Sequence, residues 1–246
     1  MNKYPIKLGQ CPIVETIFEV KFTPNCPDEV VFGVLFQAIS PVLKGCNLVP
    51  LPILQIPSEI RKNDPNLINQ PHYHLIKDNL VVGIGPRTLF FSNREPYKGW
   101  NEFKRFVIQL LEAATQVKVI SSVNQTGLRY INVIESPLFS VSNLVVSINE
   151  QPLTPDTTAS IHTEIKKGDK VVILQLNNSV EISLNNKPVR TVSMIDIGIA
   201  CNQVMSVDTF AKKLDSILEE SHDLEKQTFY DLLLGSYIDA MSPIYT

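Results

Sequence analysis

The sequence predicts an α+β fold: two antiparallel-sheet units, each packed by one long amphipathic helix. Three observations carry this. Apolar and polar residues alternate over 13–22, apolar residues recur at three and four over 97–116, and short strands followed by helix come twice along the chain. The 246 residues are 44% hydrophobic and 19% charged, the balance of a chain that buries a sizeable core.

The first strand is 13–22. Val14, Thr16, Phe18, Val20 and Phe22 share one face, and Glu15, Glu19 and Lys21 share the other. A helix follows Pro27, with Asp28 and Glu29 suited to the positive end of its dipole. Val31, Val34, Leu35, Ala38 and Ile39 give its apolar face, and Pro41 stops it. Prolines 41, 50, 52 and 57 make 41–57 an extended or edge segment. A turn-rich stretch, Lys62–Asn66, leads to two strands over 72–92, joined in a hairpin at Asp78-Asn79. The helix at 97–116 should bury Trp100, Phe103, Phe106 and Leu110. A strand over Gly127–Ile134 ends the block.

The second block offers strands at 143–149, 158–167, 170–177, 180–184 and 189–199, with turn signals at Lys167-Gly168-Asp169 and Asn185-Asn186. A helix from Val207 to Ala240, broken near Ser221-His222, completes it. The division is 1–136, an N-terminal α+β unit, and 137–246, a β-rich unit ending in helix; one continuous domain is the variant of this reading.

Net charge is −3 and no long basic run exists, so nucleic acid is not indicated by charge. Apolar runs fall far short of the ~20 residues that span a bilayer. The N-terminus lacks the pattern of a secretory signal. Cys11, Cys26, Cys46 and Cys201 are scattered, as expected of reduced thiols in a cytoplasm.

Candidate chemistry is sparse. His72-x-His74 places two imidazoles on one strand face, a metal-pair spacing, and Asp78, His162 or Glu164 would have to add a ligand. No metal is favoured and no cofactor is implied. Glu15 and Glu19 stand roughly 13 Å apart along a strand, too far for paired acid–base work. Gly83-Ile-Gly85-Pro86-Arg87 has no helix opening after it and reads as a bulge or hairpin bend rather than a phosphate loop. His222-Asp223 reads as capping at a helix break. Arg129 shares a face with Ile131 and Val133, so it needs a carboxylate: Glu15 or Glu19 across adjacent strands. The rival is an anion site formed by Arg129 with Arg87.

Tyr4-Pro5, Cys11-Pro12-Ile13-Val14-Glu15, Ile84-Gly85-Pro86-Arg87, Tyr97-x-Gly99-Trp100, Gly127-Leu128-Arg129-Tyr130-Ile131-Asn132 and Met241-Ser242-Pro243-Ile244-Tyr245 occur in that order. In this the chain resembles, over nearly its full length, a sporadically distributed family of uncharacterised prokaryotic proteins of about 250 residues. The resemblance implies no catalytic residues. A patchy distribution points toward toxin–antitoxin or anti-phage roles. The expectation is therefore a non-enzymatic binding or regulatory protein, antitoxin-like or a defence accessory factor, with a protein partner encoded nearby. The alternative is a metal-dependent hydrolase or nuclease using His72 and His74. A homo-oligomer is expected, because the proline-rich 41–57 and the apolar Leu232–Tyr245 do not readily fill one small core.

Overall fold

The structure, a computed structural model, describes residues 4–182 and 189–245. The Asn185-Asn186 turn signal lies outside the described residues. In chain order the elements are β1 (Lys7–Leu8), β2 (Ile13–Pro24), α1 (Asp28–Ile39), β3 (Asn47–Pro50), a 3-10 turn (Pro52–Gln55), α2 (Ser58–Asn63), β4 (Tyr73–Lys77), β5 (Leu80–Ile84), β6 (Thr88–Arg94) and α3 (Trp100–Gln116). Then come β7 (Ile120–Ile134), α4 (Leu138–Val141), β8 (Ser147–Ile148), β9 (Gln151–Pro152), β10 (Ala159–Lys167), β11 (Lys170–Ile182), β12 (Arg190–Cys201), β13 (Met205–Ser206), α5 (Val207–Leu232), α6 (Gly235–Ala240) and β14 (Pro243–Ile244). The fold is α+β with a large antiparallel sheet. No described helix is long and apolar enough to cross a membrane.

Two compact units are built from interleaved segments. The first comprises Met1–Glu15, Arg129–Ile199 and Ser221–Thr246; the second comprises Thr16–Leu128 and Ala200–Glu220. The sequence boundary at 136/137 falls inside the first unit.

In the second unit the alternation of β2 buries Thr16, Phe18, Val20 and Phe22. The strand order here is β7-β2-β6-β5-β4-β3. Strands β4 and β5 form the expected hairpin, with Asp78 at φ 53° in its turn. Helix α1 buries Val31, Leu35 and Ile39 and carries Asp28 and Glu29 in its first turn. Helix α3 buries Phe103, Val107, Leu110, Leu111 and Ala114. Trp100 and Phe106, expected inside, are only half-buried. Trp100 is the first residue of the helix, and its polar indole N–H donates to Glu219 Oε1 at 3.1 Å. Helix α2 was missed from sequence, where its residues read as the lead-in to a turn.

Gly85 closes the β5–β6 hairpin, its N–H donating to Thr88 O at 2.9 Å. Of the bulge and the hairpin bend that were expected, the structure has the hairpin. The glycine is needed for close approach. A Cβ there would sit within the contact radius of the Gln70 carbonyl oxygen and 3.1 Å from Pro71 Cα, both backbone atoms. Gly85→Ala is expected to destabilise by about 1–3 kcal/mol, the usual range for forced overpacking. Urea unfolding would read this as a lower midpoint at constant slope.

In the first unit β10, β11, β12 and β7 are neighbours in that order. Gly168 at φ 63° turns β10 into β11. Val172, Leu174 and Leu176 of β11, Ile195, Ile197 and Ile199 of β12, and Phe229, Leu233 and Met241 form one core. Leu232, Tyr237 and Ile238 pack against it. The closing stretch thus serves its own unit, which removes one of the two grounds for expecting an oligomer. The segment 143–149 supplies only the two residues of β8, and β11 runs unbroken through 178–182.

Helix α5 passes through Ser221-His222 without a break and ends at Leu232. Ser221 lies buried on its inward stripe. The chain breaks instead where the loop after α4 takes the last carbonyls. Asn143 N–H donates to Leu232 O at 2.8 Å, and its side-chain amide donates to Asp231 O and Leu233 O.

Candidate functional site

Three segments of the second unit meet at a cleft of about 190 Å³. The first turn of α1 brings Asp28, Glu29 and Phe32. Helix α2 brings Ser58, Arg61 and Lys62. The approach to β4 brings His72 and Tyr73, and Leu54, Leu67, Ile68 and Pro86 complete the lining. Concave, largely apolar clefts with a few converging polar groups are the usual form of a ligand site.

Helix α2 places Arg61. Pro57 precedes the helix with a fixed backbone, and the Asp64-Pro65 step ends it, so Arg61 falls in its last turn. The Nε–H of Arg61 donates to Ile56 O at 3.0 Å, which fixes the guanidinium plane. Its Nη1 stands 3.2 Å from His72 Nδ1 and 3.0 Å from Nε2. Near-equal distances to both ring nitrogens put Nη1 over the ring face. In the ring plane the same distances would drive it into Cε1. The contact sets a guanidinium N–H group against the imidazole face.

His72 is held by its backbone, with its N–H donating to Ile84 O and its carbonyl accepting from Leu51 N–H. Its pKa is pulled down to about 4, first by burial and then by the Arg61 charge, with Asp28 opposing. The imidazole is therefore neutral at pH 7. Its folded pKa lies below its ordinary 6.5. The stability tied to the neutral form is present above pH 6.5 and is lost as pH falls through about 4.

Charges frame the mouth. Lys62 Nζ meets Glu29 Oε1 at 2.6 Å, an exposed pair that lowers the Glu29 pKa and raises that of Lys62. Arg87 Nη2 reaches Asp28 Oδ1 only at 3.5 Å, and Arg87 Nε is buried with no hydrogen-bond partner among the described residues. Phe32 stacks on Tyr73 with ring centroids 3.8 Å apart.

The other residues singled out from sequence lie as follows. His74 packs edge-on to Phe90, whose ring lies against Gly83. His162 and Glu164 lie exposed on β10 of the first unit, 3.7 Å apart. Among the described residues no group of three His, Cys, Asp or Glu side chains is placed to hold a metal ion. Glu19 accepts from Thr88 Oγ1 at 3.2 Å. Arg129 Nε donates to Asp196 Oδ1 at 2.7 Å and its Nη2 meets Asp196 Oδ2, a two-pronged pair within the first unit. The tie was expected to run to Glu15 or Glu19; the two-pronged partner is Asp196. Arg87 and Arg129 belong to different units and each has its own aspartate. His222 is no helix cap: its Nδ1 lies 3.2 Å from the Tyr130 hydroxyl.

Sequence reasoning missed Arg61, because α2 was missed, and it missed Glu225. That carboxyl is 5% exposed, and burial pushes its pKa up to about 8, with Lys226 opposing. Nearby Tyr230 is raised to about 12, first by burial and then by Glu225.

Against protein-family models and against curated proteins, the chain has no match.

Proposed function

We propose that the protein works by binding rather than by covalent chemistry. It takes a ligand with an anionic head and an apolar body in the cleft of the second unit. The observation that carries this is the Arg61 guanidinium held against a neutral His72 inside that cleft. A fixed, always-charged donor suits a carboxylate or phosphate oxygen. Leu54, Leu67 and Ile68 offer an apolar wall beside it. His72's described side-chain partner is a cation rather than a hydroxyl, thiol or carboxylate, so it belongs to no nucleophile–base pair.

The resemblance adds a regulatory role, antitoxin-like or accessory to anti-phage defence, exercised in the cytoplasm with a protein partner encoded nearby. Four unpaired cysteines fit that compartment. The architecture behind this reading is two antiparallel-sheet units, each packed by a long amphipathic helix. It is supported by the buried stripe of α3 and by Phe229 of α5 in the first unit's core.

The test is an NMR titration of His72 with hexanoate and with inorganic phosphate. Binding should move the His72 ring resonances and raise its pKa from about 4, because the added anion offsets the Arg61 charge. Arg61→Met should lose the response while melting stays near native. Saturating additions that leave the His72 resonances in place would refute the reading.

A further inference from the structure

Strand β10 ends the sheet in the first unit. It pairs with β11 on one side, and among the described residues no strand pairs with it on the other. A nine-residue edge is long. Natural edges of that length are usually blunted by proline, a bulge, an inward-pointing charge or edge lysines, and the lysines of β10, Lys166 and Lys167, are confined to its last two residues. The register of β10 with β11 is unbroken from Ala159↔Asn178 to Lys167↔Lys170, so no bulge interrupts it. No proline falls within it, and its charges sit off the core face until Lys167 at its end. By contrast β3, an edge strand within the second unit, is four residues long and ends in Pro50.

The sequence of this edge is complementary to itself. A second β10 laid antiparallel about Thr163 pairs Ile161 with Ile165, His162 with Glu164 and Ser160 with Lys166, each pair occurring twice. The strand Ala159–Lys167 is symmetric about Thr163, so both copies overlap over their whole length. Antiparallel partners must both point their backbone groups into the new ladder or both away from it. Residues an even number apart meet this condition, and every pair in this register does.

Side-chain faces agree as well. Ile161, Thr163 and Ile165 stand opposite Leu176, Leu174 and Val172 of the core, on one face. Ile165 is 41% exposed at the end of that apolar row. In the two-fold pairing each Ile165 meets the other copy's Ile161, and the apolar row continues across the axis. On the opposite face His162 and Glu164 lean on each other, 3.7 Å apart, both more than half exposed. Across the axis each imidazole meets a carboxylate of the other copy, the opposite-charge or donor–acceptor pairing that stabilises neighbouring strands. A two-fold interface uses the same patch on both copies, which is what self-complementarity requires.

We propose that β10 is a homodimer interface: two copies of the chain join edge to edge through antiparallel β10 strands centred on Thr163. This is independent of the cleft in the second unit.

The experiment is light scattering of the full chain at tens of micromolar, with variants at the exposed His162 and Glu164 and at the half-buried Thr163 on the proposed axis. Wild type should give twice the 27.6 kDa chain mass. Glu164→Lys, which sets a cation against the other copy's His162, should weaken the dimer at least tenfold. The swap His162→Glu with Glu164→Lys should restore it, because each new carboxylate again meets a cation across the axis. Thr163→Cys should cross-link to a covalent dimer under mild oxidation, at a rate wild type does not show. A monomer mass for wild type at this concentration would overturn the proposal, leaving the edge to a foreign strand or to none. A wild-type dimer that survives Glu164→Lys and fails to cross-link through Thr163→Cys would also overturn it, because the interface would then lie elsewhere.

Discussion

Glu225→Gln is expected to stabilise the protein at pH 8 by several kcal/mol and to abolish most of its loss of stability on the alkaline side. Glu225 sits on the inward stripe of α5, 5% exposed, in line with buried Leu218, Ser221 and Phe229. Burial raises its pKa from an ordinary 4.5 to about 8, and Lys226 opposes this only in part. The group therefore holds its proton in the fold at a pH where the unfolded chain has released it. Its folded pKa is above its unfolded one. The contribution is intact below pH 4.5 and is lost as pH rises through about 8. Moving a pKa by one costs about 1.4 kcal/mol, so the rise from 4.5 to about 8 amounts to roughly 4–5 kcal/mol. Glutamine keeps the shape and cannot ionise. At pH 8 the variant should melt on the order of 10 °C above wild type, and near pH 4.5 the two should melt together. Equal slopes of melting temperature against pH for both proteins would show that Glu225 ionises freely in the fold.

How far the sequence shows such features depends on whether the physics is local. Strand β2 was legible because its two faces differ over ten residues, and the β4–β5 hairpin because Asp78 tolerates a left-handed turn. Helix α3 was legible from its apolar recurrence. Helix α2 was not: Ser58–Asn63 carries one isoleucine and no apolar period, and the prolines around it signal an extended chain. Losing α2 meant losing Arg61, and with it the cleft. His72 was noticed, but as half of a metal pair. Its partner lies eleven residues away on a helix that the pattern did not announce. The end of α5 was misplaced for a similar reason. Its last carbonyls are taken by Asn143, about ninety residues away in the chain. Glu225 could have been found. An acid spaced four before Phe229 and seven after Leu218 falls on the buried stripe, and a charge on such a stripe marks a perturbed group.

Arg129 shows the limit most clearly and gives the second large prediction. Its face on the strand was readable from Ile131 and Val133, and so was its need for a carboxylate. The partner was not readable, because neighbours in a sheet can lie far apart in sequence. Asp196 stands on β12, which pairs beside β7 in the first unit, and is 67 positions away. The aspartate is 4% exposed and the Arg129 side chain 43% exposed, so the carboxylate depends on the arginine more than the reverse. Arg129→Met should therefore destabilise by about 3 kcal/mol. That is the lower end of what breaking a buried pair does, because solvent reaches the arginine side. The double variant Arg129→Met with Asp196→Leu should recover most of the loss, since a buried ion pair can be replaced by apolar groups with little net change. Asp196→Leu alone should be milder than Arg129→Met alone, because the half-exposed guanidinium it strands can still reach water. A shared anion site with Arg87 makes the opposite forecast: near-native melting of Arg129→Met with loss of phosphate binding. Thermal melting of the three variants, with phosphate titrated into each, separates the two. If Arg129→Met melts like wild type and binds phosphate like wild type, the two-pronged pair is a surface contact with neither role.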